Sequence, residues 1–215
     1  MSERHARTER DRRRRSLGQN FLADPELVAR FVDGLGVAPG DLVVDVGAGA
    51  GALTTVLSRT GAEIWAVETD PAWVARLRAV TSRDPNVRVI GTDIRRLRLP
   101  ARPYRVVANP PFGMTTDLLS LLLDEPERGP SRADLILQHD VVRKHAATPP
   151  VALRTAAWAP WWEFSVGMKV SRSSFRPRPS VDASVLTIRR RTPPVLPNRL
   201  APGFADTLRP AWVRH

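Results

Sequence analysis

The 215-residue sequence contains no cysteine, and this absence removes several classes of site at once. Without a thiol the chain can form no disulfide, no thiolate nucleophile and no thiolate metal site. The histidines are few and lie far apart in the sequence, so their spacing predicts no metal cluster. They are His5, His139, His145 and His215. We therefore expect no bound metal.

Long apolar runs are also missing. No stretch approaches the roughly 20 apolar residues that a membrane-spanning helix requires. The N-terminal arginines are not followed by the apolar segment of a signal peptide. The composition, 42% hydrophobic and 26% charged, is that of a globular protein long enough for one domain. We therefore expect a soluble, cytoplasmic, monomeric protein that does not contact a membrane.

Acidic residues do not balance the basic ones, and the formal net charge is +11. Residues 1–15 hold seven arginines against three acidic residues, a net charge of +4. Residues 169–191 hold seven basic residues against Asp182, a net charge of +6. Two basic clusters around a nearly neutral middle indicate a polyanionic partner such as a nucleic acid. A solubilising tail is the alternative interpretation of the N-terminal cluster.

Short apolar runs alternate with amphipathic stretches along most of the chain. This alternation favours an α/β fold with helices on both faces of a mostly parallel, buried sheet. The last two predicted strands are joined by a proline-rich segment and favour an antiparallel hairpin at the sheet edge. The seven predicted strands lie near residues 41–47, 63–69, 86–93, 104–111, 133–140, 161–171 and 183–191. Predicted helices lie near residues 24–35, 50–61, 71–82 and 115–125.

The domain organisation follows from charge and proline content. Residues 1–15 are expected to form a disordered basic arm and residues 16–191 the folded domain. Prolines are so frequent beyond Arg191 that we expect a loose tail over residues 192–215. The tryptophans of "AAWAPWWEF", Trp158, Trp161 and Trp162, are expected to pack in the core, although an RNA or partner surface is the alternative.

The first predicted strand ends in a glycine-rich stretch, "DVGAGAGAL", residues 45–53. Gly47, Gly49 and Gly51 allow a tight turn and a close approach of the backbone to a ligand at the start of a helix. The pattern alone is ambiguous, because it also fits a dinucleotide-binding loop or a purely structural turn.

Three polar residues end the next three predicted strands. Glu68 can accept hydrogen bonds from a ribose diol, and Asp93 can accept one from an adenine amino group. Asn109 begins "NPPF", residues 109–112, where two prolines break the strand. The carboxyl ends of parallel strands meet at one edge of the sheet, so these side chains are expected to line one crevice with the glycine loop. For either acid alone, a helix cap is the alternative role.

Six stretches in this order and spacing resemble the ribosomal RNA adenine N6-methyltransferases. That family includes macrolide-resistance enzymes acting on 23S rRNA and small-subunit dimethyladenosine transferases. The stretches are "LGQNFLADPELV", "VVDVGAGAGALT", "AVETDP", "GTDI", "ANPPFG" and "SFRPRPSVDASVL". The resemblance implies a Rossmann-like class I methyltransferase fold over residues 16–191 and S-adenosylmethionine as the cofactor.

The resemblance also implies roles for residues at matching positions. The cofactor contacts would come from Asn20, Leu22, Gly47 and Gly49 of the two motifs and from Glu68, Asp93 and Asn109 at the strand ends. Asn109 and the Pro110 carbonyl would accept hydrogen bonds from the target amino group, and Phe112 would stack on the flipped base. Phe112 is Tyr in many relatives, and a buried loop anchor is its alternative role. Phe175 would contact the same base, and a structural position is the alternative.

The expected partner is 23S rRNA, methylated on the N6 of an adenine in an accessible single-stranded loop to give macrolide–lincosamide–streptogramin resistance. Relatives continue into a helical RNA-binding lobe that we expect to be absent here. RNA contacts should then fall on the arginine arm, Arg12, Arg13, Arg14 and Arg15, on Arg176 and Arg178, and on residues 189–191. A small-subunit rRNA or DNA adenine methyltransferase and a noncatalytic RNA-binding assembly factor are the alternatives, since Asn-Pro-Pro also occurs in DNA enzymes.

Overall fold

The computed structural model describes residues 20–212. Predictions for the N-terminal arm, including Arg12, Arg13, Arg14 and Arg15, fall outside this range. Within it, no helix is long and apolar enough to cross a membrane.

A seven-stranded sheet forms the centre of the molecule, and a two-stranded sheet lies beside it. The strands are β1 (Phe21–Leu22), β2 (Leu42–Val46), β3 (Glu63–Glu68), β4 (Val87–Gly91), β5 (Arg105–Ala108), β6 (Arg132–Gln138), β7 (Trp162–Val170), β8 (Phe175–Arg176) and β9 (Ala183–Arg190). The large sheet has the order β4-β3-β2-β5-β6-β9-β7. The first five strands in this order are parallel to one another. Strand β9 runs antiparallel to both of its neighbours, β6 and β7. The predicted mostly parallel sheet with an antiparallel edge hairpin is confirmed.

The central strands of the sheet, β2, β5, β6 and most of β9, are buried on both faces, which explains their near-continuous apolar sequences. Along β5, Val106 and Ala108 pack into one core cluster and Val107 into the other. Leu135 and Ile136 of β6 divide between the clusters in the same way. Successive strand residues point to opposite faces, so each strand contributes to both cores.

Helices cover both faces of the sheet. They are α1 (Pro25–Gly34), α2 (Thr54–Leu57), α3 (Pro71–Val80), α4 (Thr115–Leu123), α5 (His139–His145), α6 (Leu153–Trp158) and α7 (Phe204–Leu208). The predicted starts of α1 and α3 are confirmed, because Asp24 and Asp70 cap them with side-chain oxygens and a proline follows each cap. Helix α4 begins at Thr115, as predicted. It continues from a 3₁₀ turn over Phe112–Met114 and has no side-chain cap from Thr115 or Thr116.

The proline-rich segment between β7 and β9 is more than a hairpin loop. It contains a 3₁₀ turn, Arg172–Ser174, followed by β8. Strand β8 pairs antiparallel with β1, with Phe21 opposite Arg176 and Leu22 opposite Phe175. The segment therefore connects the start of the described chain to its last strands, which the local sequence pattern did not predict.

The expectation of a loose tail after Arg191 is wrong for the residues described. Leu196, Ala201 and Phe204 pack against the core, and the Phe204 ring lies edge-on to Trp161 at 5.5 Å between centroids. Short 3₁₀ turns at Asn198–Leu200 and Arg209–Ala211 flank α7. Prolines break this segment into short turns, yet its apolar residues still cover the tryptophans. Trp158, Trp161 and Trp162 are all buried, so their predicted core packing is confirmed.

Candidate functional site

A cavity of about 400 Å³ opens at the carboxyl ends of β2, β3, β4 and β5. Its lining includes Gly47 after β2, Glu68 at the end of β3, Thr92 after β4 and Asn109 after β5. Parallel strands present their carboxyl ends at one edge of the sheet, where α/β proteins bind their ligands. The structure therefore brings the glycine loop, the glutamate and the asparagine into one crevice, as the sequence predicted.

The glycine loop adopts the backbone conformations that require glycine. Gly47, Gly49 and Gly51 have φ values of 75°, 53° and 88°. A Cβ built on Gly49 would lie 2.8 Å from Cε1 of Phe21, closer than such atoms approach. The amides of Gly47 and Ala48 both donate to the Val67 carbonyl, which fixes the loop against β3. The positive φ values at all three glycines, and the close approach of Phe21 at Gly49, explain why the loop, here called the glycine cradle, requires glycine at these positions.

Glu68 organises the backbone around the cavity. One carboxylate oxygen accepts the Thr69 and Asp70 amides at 2.7 and 2.9 Å, and the other accepts the Gly49 amide at 2.9 Å. The side chain is only 4% exposed. A carboxylate has about four acceptor positions, so three amide bonds leave one for a ligand hydroxyl.

Asp45 lies beneath the loop and is buried against the cavity. One carboxylate oxygen accepts the Thr54 hydroxyl at 2.6 Å, while Oδ1 has no hydrogen-bond partner among the described residues. Burial raises the pKa of Asp45 from 3.8 to about 7, the Thr54 hydroxyl opposes this rise, and the negative charge of Glu68 adds to it. The cavity therefore contains a buried acceptor that a ligand carrying an N–H donor can satisfy.

Asn109 directly follows the last residue of β5 and lines the cavity. Its side-chain Nδ2 donates to the backbone carbonyl of Asn20 at 2.8 Å. Pro110 is buried, and the 3₁₀ turn that follows Pro111 holds Phe112 half-buried. The Met114 amide donates to the Pro111 carbonyl, which closes the turn. The two prolines thus fix the direction in which the chain leaves the strand.

The glycine cradle, Glu68 and Asn109 line one cavity, whereas Pro110 and Phe112 are not among its lining residues. The family model for ribosomal RNA adenine dimethylase matches residues 10–212. The chain belongs to this family. Its relatives include the rRNA methyltransferase of Streptomyces thermotolerans, 39% identical over 95% of this chain and 68% of that protein.

Two further relatives are named for rRNA methylation and for antibiotic resistance. The rRNA adenine N-6-methyltransferase of Corynebacterium diphtheriae is 38% identical over 84% of this chain and 70% of its own length. The mycinamicin-resistance protein MyrB of Micromonospora griseorubida is 34% identical over 93% of this chain and 63% of its own. The chain thus spans roughly two thirds of the length of these relatives.

Solved structures agree with the family assignment. The 23S rRNA methyltransferase ErmE superimposes with a TM-score of 0.78 and 27% identity, over 88% of this chain and 78% of ErmE. A dimethyladenosine transferase from Plasmodium falciparum has a TM-score of 0.70 at 19% identity, over 80% of this chain and 64% of its own, and shares the fold. The Rossmann-like methyltransferase fold and S-adenosylmethionine as the family's cofactor are confirmed.

Asp93 is not among the residues that line the cavity. Thr92 and Ile94 line the cavity on either side of it. The Asp93 carboxylate instead caps the turn Ile94–Arg96 and pairs with Arg95 at 2.8 Å. The Arg95 side chain and amide lower the pKa of Asp93 to about 2. Adenine recognition by Asp93 stays a prediction. It requires the Asp93 carboxylate either to break its ion pair with Arg95 or to accept a second hydrogen bond beside it.

Phe175 is a core residue. Its side chain is completely buried in the cluster that includes Leu22 and Val170. The prediction that its ring contacts the target base is therefore wrong in this conformation, because no face of the ring is accessible. Arg176 and Arg178 beside it are exposed, so their predicted RNA contacts remain open to test.

The arginines at the end of β9 lie away from the cavity. Arg189 is opposite Arg132, at the start of β6, so this cluster lies at the other edge of the sheet. Arg191 pairs with Glu163 at 2.7 Å. The RNA contacts predicted for residues 189–191 therefore lie at the end of β9 that is remote from the cavity, and they stay a prediction.

Several residues that line the cavity were not predicted. They include Phe21, Asp45, Ala48, Thr69, Asp70, Pro71, Thr92, Ile94 and Met114. Most of them neighbour a predicted residue, so strand-end position was the available signal. Asp45 is different, because it lies inside a buried strand, where only its charge distinguishes it from its apolar neighbours. Among the described residues, no group of acids and histidines is arranged to hold a metal.

Asp45 predicts a measurable pH dependence of stability. The folded protein keeps this proton up to about pH 7, whereas the unfolded chain loses it near 3.8, so stability falls as pH rises between these values. The full contribution is about 4 kcal/mol at most. Asp45→Asn should remove this slope, measured as the melting temperature from about pH 5 to about pH 8. The exposed Asp33→Asn is the control, and parallel curves for the wild type and Asp45→Asn would contradict the assignment.

Proposed function

We propose that the chain transfers a methyl group to the N6 of an adenine in 23S rRNA, acting as a monomer in the cytoplasm and giving macrolide–lincosamide–streptogramin resistance. We also propose that residues 16–191 form the catalytic unit. The orientation of Asn109 at the mouth of a glycine-cradled cavity carries the proposal. Relatives named for rRNA adenine methylation, for mycinamicin resistance and for 23S rRNA support the choice of substrate.

The lining residues fit S-adenosylmethionine. Gly47 and Gly49 of the loop line the cavity with backbone, and Glu68 retains one acceptor position for a ribose hydroxyl. The unpartnered Oδ1 of Asp45 can accept from the ammonium group of the cofactor. Asn20 and Leu22 close the cavity from the side of β1. When bound, the cofactor supplies an electrophilic methyl group on a sulfonium sulfur.

Asn109 and Pro110 would activate the target amino group. The lone pair of an exocyclic adenine nitrogen is delocalised into the ring, which makes the nitrogen a poor nucleophile. Two acceptors aimed at its hydrogens, Oδ1 of Asn109 and the Pro110 carbonyl, favour a pyramidal nitrogen and direct its lone pair at the methyl group. The nitrogen becomes acidic once methylated and releases its proton to water, so no strong general base is needed.

Phe112 would hold the flipped base. An adenine must leave its stack to reach the cavity mouth, and stacking on an aromatic ring is worth about 1–3 kcal/mol per base. Phe112 is half-buried and starts the turn directly after the two prolines, so part of its ring remains accessible next to Asn109.

RNA binding should depend strongly on salt. Each phosphate contact releases counterions and contributes about −0.7 to the slope of log K against log salt for single strands. Replacing both Arg176 and Arg178 with Gln should reduce the slope by about 1 to 1.5, as measured by fluorescence anisotropy with an rRNA fragment. Arg83→Gln, an exposed arginine in the turn before β4 with no predicted RNA contact, is the control. Binding that barely changes with salt would contradict a phosphate-binding role for these arginines and for the arm, Arg12–Arg15.

The proposal is tested by methyl transfer. The full chain is incubated with labelled S-adenosylmethionine and, separately, with 23S rRNA, 16S rRNA and double-stranded DNA. We expect label in 23S rRNA alone, and primer extension should then stop at one adenine. Label in 16S rRNA or DNA would transfer the assignment to that substrate. An absence of label in all three would contradict an enzymatic function and favour a noncatalytic RNA-binding protein.

A further inference from the structure

The hydrogen bond between Asn109 and Asn20 determines which way the Asn109 amide faces. A backbone carbonyl only accepts hydrogen bonds, so the NH₂ group of Asn109 must point to Asn20. The side-chain oxygen, which lies in the same plane about 120° from the nitrogen, therefore points away from the Asn20 carbonyl. The amide needs this orientation to accept from a target amino group, and the partner that fixes it lies 89 residues earlier in the chain.

The Asn20 carbonyl is itself held by β1, which begins at the next residue. Strand β1 has only two residues, and its partner is β8. Two further bonds extend the pairing beyond the strands. The Ala23 amide donates to the Ser174 carbonyl at 2.8 Å, and the Ser174 hydroxyl donates to Oδ2 of Asp24 at 3.1 Å. Ser174 is 6% exposed, whereas its acceptor Asp24 is partly exposed, so this second bond is partly shielded from water.

Strand β8 belongs to the most basic part of the described chain. Arg172, Arg176 and Arg178 are exposed around it. A continuous series of hydrogen bonds thus runs from the basic segment through β8 and β1 to the Asn109 amide. The buried Phe175 ring and Leu22, opposite each other in this pair, attach both strands to the core.

We propose that the β1–β8 pair, acting through the Asn20 carbonyl, positions the Asn109 amide for methyl transfer and links this alignment to the basic segment. Asn20 and Ser174 are positioning residues in this role. The alignment can be tested without any substrate, whereas its effect on catalysis rests on the proposed function.

The first test measures the Asn109 amide directly. Asparagine occurs only at Asn20, Asn86, Asn109 and Asn198, so a chain labelled with ¹⁵N in asparagine gives four side-chain amide pairs. Solvent exchange of these protons is measured by NMR, and the Asn109 pair is assigned by its loss in Asn109→Ala. Asn86 donates to the Ser58 and Ala62 carbonyls at 2.8 Å each and serves as the internal reference.

Ser174→Ala removes the hydroxyl bond to Asp24 and should speed exchange of the Asn109 pair by about threefold or more, with Asn86 unchanged. Ser173→Ala is the matched control, because this serine lies in the same turn and its hydroxyl contacts only the Ser171 hydroxyl and no part of β1. Fast exchange of Asn109 in the wild type, or equal rates in the two serine variants, would overturn the proposal. If Ser174→Ala does not fold, Ser174→Cys replaces it, because a thiol keeps the size and forms a weaker hydrogen bond.

The second test measures methyl transfer over a range of S-adenosylmethionine concentrations with saturating rRNA. Ser174→Ala should lower kcat about threefold to tenfold and change the KM for S-adenosylmethionine less, since misalignment affects the reacting geometry. Ser174→Thr keeps the hydroxyl and should restore kcat. A kcat equal to that of Ser173→Ala would contradict the link to catalysis. If the wild type transfers no methyl group, the proposed function fails. The exchange test still shows whether the β1–β8 pair positions the Asn109 amide.

Discussion

Asn109→Ala is expected to lower kcat for methyl transfer by at least about 100-fold, the effect of removing one pre-placed hydrogen-bonding group from a reacting centre. The variant removes the acceptor that orients the target amino group and leaves the glycine loop, Glu68 and Asp45 in place. Affinity for S-adenosylhomocysteine should change by less than about threefold, because the Asn109 NH₂ group already bonds to Asn20. Single-turnover methylation and calorimetric titration measure the two quantities.

Two controls make this result specific. Asn198→Ala, in a turn of the C-terminal segment, applies the same change far from the cavity and should leave kcat unaltered. Asn109→Asp keeps acceptor oxygens and loses the donor to Asn20, so it should also be impaired if orientation matters. Full activity in Asn109→Ala would contradict the proposed chemistry. Full activity in Asn109→Asp would show that the bond to Asn20 is dispensable.

Much of the fold could be predicted because it depends on local patterns. Strands buried on both faces produce continuous apolar runs, and Asp-Pro pairs mark the starts of α1 and α3. Once the strands are parallel, their carboxyl ends share one edge of the sheet. The positions of Gly47, Glu68 and Asn109 around one cavity therefore follow from sequence and topology together.

The parts that could not be predicted depend on contacts between distant residues. Strands β1 and β8 have two residues each, too short for any periodic signal, and their pairing joins residues about 150 positions apart. Phe175 lies among arginines and prolines that favour exposure, yet this pairing turns its ring into the core. Asp93 was assigned to a ligand because of its strand-end position, whereas Arg95, two residues later, competes for its carboxylate.

The packing of the C-terminal segment could not be predicted from its local sequence either. Its prolines correctly indicate that no long helix forms. They do not exclude packing, because Phe204 needs only a short turn to reach Trp161. A proline-rich composition thus predicts short elements and does not by itself predict a segment without tertiary contacts.

Glu68→Gln is expected to weaken S-adenosylhomocysteine binding by about 10- to 100-fold, because hydrogen bonds to a charged group contribute about 1.5–3 kcal/mol. The carboxylate accepts amide protons on both oxygens, from Gly49 on one and from Thr69 and Asp70 on the other. A glutamine has one acceptor oxygen, so its NH₂ group must face an N–H donor on one side. If the oxygen retains the pair of amides from Thr69 and Asp70, the Gly49 amide loses its partner and the glycine cradle shifts.

Glu63→Gln is the matched control, since it makes the same change at the other end of β3. Glu63 is exposed, where it accepts the Trp65 indole N–H at 2.8 Å and pairs with Arg102. Isothermal titration calorimetry with S-adenosylhomocysteine should show wild-type affinity for Glu63→Gln and the loss only for Glu68→Gln. Thermal unfolding of the ligand-free proteins separates loss of the cradle from loss of the fold. Equal affinity in the two variants would contradict the proposed role of Glu68, which is to connect the end of β3 to the glycine loop by hydrogen bonds.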